Sequence, residues 1–100
     1  MSERRNHMRH PANVVVAIST SERKDRVGVT SDVSPTGLLL HSLSRFAVGE
    51  RVSVLYRYNG VESVAQGQVV RTGRDDRWLM FPHATAVRFE TLQPDLLNFD

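Results

Sequence analysis

Cysteine is missing from this sequence, and lysine nearly so: of thirteen basic residues, only Lys24 is not an arginine. Without cysteine there are no disulfides and no thiolate metal site, which suits a reducing cytoplasm. Long apolar runs are missing too. The longest, "VVVAI" at Val14 to Ile18, is far too short to cross a bilayer. No apolar segment of signal-peptide length and no small-residue cleavage site follows the basic start. Internal repeats and low-complexity tracts are also absent. The chain is therefore expected to be soluble and cytoplasmic, without membrane insertion.

What is there has the size of one domain. The 100 residues are 40% hydrophobic and 24% charged, an ordinary globular balance with no room for a second core. The net charge of +2 gives only a modest long-range field. The pI near 9.7 reflects the arginines. Their planar forks match phosphates and guanine edges two bonds at a time, where lysine offers a point charge. A GC-rich genome would produce the same bias, so arginine usage alone decides nothing.

The body reads as a series of short strands. "NVVVAIS" (Asn13 to Ser19), "RVGVTSDV" (Arg26 to Val33) and "LLLHS" (Leu38 to Ser42) are extended, separated by the polar turn "SERKD" and by "SPTG". "RFAVGE" (Arg45 to Glu50) is a loop. In "RVSVLYRYNGVESVAQGQVVR" (Arg51 to Arg71), Asn59-Gly60 predicts a two-residue type I′ hairpin. That turn sets Tyr58 opposite Val61, Tyr56 opposite Ser63 and Val54 opposite Ala65, with Val52, Val54, Tyr56 and Tyr58 on the core side. Arg57 then faces Glu62, and Leu55 faces Val64, on the outer side. "RWLMF" (Arg77 to Phe81) and "TAVRFE" (Thr85 to Glu90) read as two further strands. Pro94 opens a short helix at "PDLLNF". Six or seven antiparallel strands with almost no helix predict a small all-β barrel or sandwich.

Two stretches are not explained by folding. "ERRNHMRHP", Glu3 to Pro11, places Arg4, Arg5, Arg9, His7 and His10 ahead of the first apolar run. It is open to reading as a solvated tail, a nucleic-acid arm, a metal site or half of an anion site. "DVSPTG", Asp32 to Gly37, is by itself a turn, since Asp and Ser bond local amides, Pro fixes φ and Gly permits φ > 0.

Together, Arg-x-x-x-Arg at Arg5 and Arg9, followed about twenty residues on by Asp-x-Ser-x-x-Gly at Asp32, Ser34 and Gly37, resemble the PilZ domain family. "GQVVR" (Gly67 to Arg71) and "AVRF" (Ala86 to Phe89) are similar to its later strands, so the resemblance spans essentially the whole chain. Two departures stand out. Ala86 occupies a position where many members have glycine, and the terminal helix is short. The resemblance implies a six- to seven-stranded barrel at residues 12–100, preceded by a flexible basic arm at residues 1–11. It implies a receptor for cyclic di-GMP, a bacterial second messenger, and not an enzyme; no other cofactor is expected.

The residue types fit that ligand. Arginine donates twice to the acceptor edge of guanine or forks onto phosphate. Asp32 can accept from the guanine edge that carries N–H groups. Ser34 can bond a base edge or phosphate, and Gly37 lets backbone approach without a Cβ. The resemblance makes Arg5 and Arg9 the mobile half of a clamp and Asp32, Ser34 and Gly37 its rigid half, with Arg71 placed to stack on a guanine. In the family, an arginine just before the motif accompanies an intercalated nucleotide pair. Arg4 therefore carries the expectation of two ligands per chain, its charge offsetting repulsion between crowded phosphates.

Other readings compete. His7 and His10 lack further ligands nearby, and structural zinc wants four. His41 and His83 read as ordinary surface or half-buried histidines. Ser34, His41 and Asp32 are the residue types of a hydrolase triad, but no nucleophile elbow accompanies them. A nucleic-acid-binding barrel needs aromatic platforms. Here most of Phe46, Tyr56, Tyr58, Trp78, Phe81, Phe89 and Phe99 fall on predicted core faces, which argues against nucleic acid. A PilZ-like scaffold that binds only proteins is the third alternative, opposed by both motifs being intact. The downstream partner, a protein serving motility, exopolysaccharide synthesis or pili in the family, is not named by any feature of the sequence.

Overall fold

The computed structural model describes residues 10–58 and 60–98. Seven strands follow one another: β1 (His10–Pro11), β2 (Val15–Ser19), β3 (Arg26–Ser34), β4 (Gly37–Ser42), β5 (Arg51–Tyr58), β6 (Val61–Arg74) and β7 (His83–Phe89). A 3-10 turn at Pro94–Asn98 ends the described chain. All pairings are antiparallel, in the order β3-β2-β5-β6-β7-β4, and β4 returns to β3. Six strands thus close into a barrel, which leaves none of them as a free edge. The two residues of β1 add to β3, where His10 pairs with Val33 and Pro11 with Asp32.

The β5–β6 hairpin takes the register that its turn dictates: Tyr58 pairs with Val61, Tyr56 with Ser63, Val54 with Ala65 and Arg57 with Glu62. Val52, Val54 and Tyr56 are buried, and Arg57 donates to Glu62 at 2.8 Å across the outer face. Gly60 has φ of 79°, the left-handed conformation the turn requires. Asn59 itself and the Tyr58 side chain lie outside the described structure. Ile18, Val33, Leu38, Leu40, Val69 and Val87 complete the interior, and Leu96 of the terminal 3-10 turn packs into it at 1% exposure. The Tyr56 hydroxyl fixes that turn by donating toward Gln93 and Asp95. Burial, with the Asp95 carboxylate beside it, pushes the Tyr56 pKa up to about 12.

One predicted strand does not form. Residues 77–81 make two successive turns, closed by Trp78 N donating to Asp75 O at 3.1 Å and Phe81 N to Trp78 O at 3.0 Å. The Asp75 carboxylate accepts both the backbone N and the guanidinium of Arg77, organising the first turn. "WLMF" is apolar without alternation, so it has no polar face to put outward as a strand would. Leu79 and Met80 are instead left 87% and 72% exposed. Trp78, placed by the sequence in that strand, stands outside the barrel against His41. The sheet is extended from the other side, with β6 running on to Arg74 before the loop begins.

Gly37 pairs with Arg88 where β4 meets β7. A Cβ there would sit 2.2 Å from the carbonyl oxygen of Val87, which is backbone and has nowhere to go. Gly37→Ala should therefore destabilise by about 2 kcal/mol or more, as overpacking at an immovable neighbour does. Gly73 has open space around its missing Cβ and no positive φ. Gly73→Ala should be neutral or stabilising by about 0.5 kcal/mol. Urea unfolding of the two variants measures the contrast; equal midpoints would show that β4 and β7 can separate freely.

Candidate functional site

Two β-bulges determine which side chains reach the outside of β3, β4, β7 and β6. Thr30 pairs with Leu40, but the next pair is Asp32 with Leu39, so Ser31 is the extra residue. Val69 pairs with Val87 and Arg71 with Ala86, so Val70 is the extra residue in β6. Strict alternation would put Asp32 on the same inward face as Thr30, and Arg71 on that of Val69. Each bulge moves its residue to the opposite face. Because Leu39 also pairs with Ala86, one outward row runs Asp32–Leu39–Ala86–Arg71 across four strands. The neighbouring outward row contains Gly37 and Arg88.

Ser34, Gly37 and Arg71 come together around a concavity of about 480 Å³, with Thr36, Ala86 and Arg88. Asp32 is not part of its lining; it is half-buried on the same outer side, two residues before Ser34. The Ser34 side chain is 2% exposed and already engaged. Its Oγ accepts from Thr36 N at 3.2 Å, contacts Thr36 Oγ1 at 3.0 Å and donates to the Gly37 carbonyl at 3.2 Å. The turn is docked from both sides, since Thr36 O accepts from Phe89 N and Pro35 O from Gln93 N. Gly37 is demanded by the approach of β7, a reason different from the expected approach of a ligand. Ala86, at the position where glycine was expected, leaves β7 in unbroken register with β4 from Gly37 to Ser42.

Arg4, Arg5 and Arg9 lie outside the described residues, as does His7. The segment that follows them is held firmly. Thr30 Oγ1 donates to Ala12 O and accepts from Val14 N, and the Asn13 amide donates to Thr30 O. Pro11 is thereby set beside Asp32.

Sequence reasoning missed two features. Arg88 lines the concavity, a position that the alternation of "AVRF" beside Gly37 would have revealed. The other is His41, which is 3% exposed and not a surface residue. Trp78 stacks on its ring with centroids 3.9 Å apart and planes at 4°, and His41 Nε2 lies 3.0 Å from Ser31 Oγ in the bulge. Burial pushes the imidazole pKa below 6.5, more than Asp75 and Asp32 raise it, and Arg77 adds to the lowering. The Arg77 fork in turn holds the Asp75 carboxyl down at about 2. Among the described residues, no group of His, Asp and Glu is arranged to hold a metal ion. No helix among them is long and apolar enough to cross a membrane.

A closed six-stranded antiparallel barrel, with a polar turn and two arginines around an outward concavity, defines a small β-barrel domain. The sequence profile of the PilZ domain matches residues 3–98, and the chain belongs to the PilZ domain family. No curated protein sequence matches it. Among solved structures, it is similar to the Bacillus subtilis inhibitor of motility MotI/DgrA, with a TM-score of 0.72 at 16% identity. That match covers 91% of this chain but only 44% of the Bacillus protein. The PilZ domain of Escherichia coli YcgR, solved with c-di-GMP, gives a TM-score of 0.71 at 13% identity, covering 94% of this chain and 83% of that one. The PilZ domain of CeSA from a cellulose-synthesizing bacterium gives 0.61 at 18%, covering 80% and 78%.

The stack has a pH consequence. Because the folded imidazole is held neutral below its ordinary pKa of 6.5, its contribution to stability is complete above 6.5 and is lost as pH falls below that value. Trp78 is the sole tryptophan, so its emission reports the stack directly. Acidification below about pH 6.5 should lower the melting temperature, read from that emission on heating, and His41→Phe should remove this part of the pH dependence. A parent whose melting temperature falls below pH 6.5 no more than the variant's would contradict this account.

Proposed function

We propose that this domain is a cyclic di-GMP receptor that clasps the nucleotide between its N-terminal arm and the outer face of β3, β4, β6 and β7. The observation that carries this reading is the bulged row that turns Asp32 and Arg71 outward on either side of Ala86, beside the concavity lined by Ser34, Gly37 and Arg88. The pairing of Pro11 with Asp32 delivers the chain to that face two residues after Arg9. Arg5 and Arg9 supply charged donors for phosphate or guanine, Asp32 accepts from guanine N–H groups, and Arg71 stacks on or forks to the ligand. Since the Ser34 hydroxyl is committed to the turn, its contribution includes fixing the backbone at Gly37. No step of this function requires catalysis. Ligand binding remodels the surface around the arm, and a partner protein reads the change. The likeness to a motility inhibitor and to YcgR, together with family membership, supports bacterial second-messenger signalling in motility or biofilm control.

Calorimetry tests the reading. Cyclic di-GMP should bind with a Kd around micromolar or tighter, roughly −8 kcal/mol, while a random single-stranded oligonucleotide should not compete. Arg5→Ala and Arg9→Ala should each cost about 2 kcal/mol or more through lost charge-assisted hydrogen bonds. Variants that bind as tightly as the parent would move the site elsewhere.

Arg4 governs stoichiometry in this proposal. Two intercalated ligands crowd four phosphodiester charges, whose repulsion is of order 1 kcal/mol or more per close contact even at high effective dielectric. A third guanidinium offsets it. The parent should bind two nucleotides per chain and Arg4→Leu a number closer to one, both read from the titration endpoint. A parent ratio of one, or a variant still at two, would remove Arg4 from that role.

A further inference from the structure

Three elements meet at the bulge in β3. Ser31 is its extra residue, and the carbonyl and hydroxyl of Ser31 are tied to different parts of the chain. The carbonyl accepts from Ala12 N at 3.3 Å, which roots the segment that follows Arg9. The hydroxyl lies 3.0 Å from His41 Nε2 on β4. The next residue is Asp32, turned outward by the bulge and set beside Pro11. A bulge interrupts the ladder that otherwise fixes a strand, so bonds of this kind hold the extra residue in one place.

His41 belongs to the outward side of β4, two residues after Leu39, and pairs with Val29 and Ala84. It is buried there with the Trp78 ring laid flat over it. The stack by itself does not account for an imidazole. His41 Nδ1 is buried without a hydrogen-bond partner among the described residues, a cost that a phenyl ring in the same slot would not carry. What the imidazole alone supplies is the Nε2 bond to Ser31. Stacked on one face and bonded at one edge, the ring is locked in a single orientation, as a supporting residue must be.

We propose that His41 is a positioning residue for the candidate site. Locked under Trp78, it holds the Ser31 bulge, and through the bulge it aims Asp32 and anchors the root of the N-terminal arm. It touches no ligand itself. Asp32 and the arm lie on different elements, yet Ser31 connects to both, so loosening it degrades the two halves of the clasp together. The role in nucleotide binding rests on the cyclic di-GMP reading; the role in holding the bulge does not.

The test has two arms, both at about pH 8, where the imidazole is neutral. His41→Phe keeps an aromatic ring under Trp78, and Ser31→Ala keeps the stack itself; each loses the bond between Nε2 and the hydroxyl. In unliganded protein, the Ala12 amide should exchange about tenfold faster in either variant, while the Val54 amide at the barrel centre and the melting temperature hold. In calorimetry, each variant should weaken cyclic di-GMP about tenfold, and the double variant no more than either alone. In the Asp32→Asn background, His41→Phe should cost only about threefold, the share carried by the arm; a merely structural loss would persist in full. Unchanged exchange at Ala12 in both variants would overturn the proposal. So would binding as tight as the parent's, additive losses in the double variant, or an undiminished cost in the Asp32→Asn background. A parent that does not bind cyclic di-GMP would refute the nucleotide reading instead, and the exchange arm would then decide the hold on the bulge alone.

Discussion

Between the backbones of Gly37 and Val87 there is no room for a side chain, and the barrel closes because none is present. Gly67 repeats the arrangement on the other flank of β7, where a Cβ would meet the Arg88 carbonyl at 2.6 Å. β7 is thus admitted between β4 and β6 by a glycine on each side. Its tight seating brings Arg88 up beside the Ser34–Gly37 turn and places Ala86 between Leu39 and Arg71. A residue that reads as part of a recognition motif is at the same time a condition for closing the sheet. The site's geometry and the fold's integrity are therefore difficult to vary separately at position 37.

The register of the alternating hairpin was legible because its information is local. A turn of known type fixes register, and register fixes every cross-strand pair. "RWLMF" misled for the converse reason. Its propensity favours a strand, but the Asp75–Arg77 contact and two hydrogen-bonded turns take up its backbone groups, and the apolar side chains find no inner face to fill. His41 was legible as a residue and not as an environment, because its burial comes from Trp78, thirty-seven positions away in a loop.

The candidate site was legible as an order of residues along the chain, but not as a surface. Asp32, Ser34, Gly37 and Arg71 stand out by type and spacing. Their sharing of one side depends on the bulges at Ser31 and Val70, and neither bulge has a signature in the sequence. A bulge follows from how two strands meet, which period-two patterning cannot report. The solved structures that resemble this chain do so at 13–18% identity. What such distant chains share is the path of the backbone, while the chemistry of each face is set by residues that differ freely.

The paired bulges also shape how this surface can be lost over evolutionary time. A substitution at Asp32 or Arg71 removes one group and leaves the rest of the row in place. Losing a bulge while keeping its extra residue, Ser31 or Val70, in the ladder would do something else, turning the following residues of that strand through half a period and exchanging what faces solvent for what faces the core. The interior lies one residue from each bulge, at Thr30 and Val69, so such a slip would bring a carboxylate or a guanidinium into the apolar centre. Register, more than the identity of any one side chain, is therefore what purifying selection must hold constant in these two strands. Insertions and deletions should gather in the loops at 43–50 and 75–82, where the chain changes direction without a register to keep.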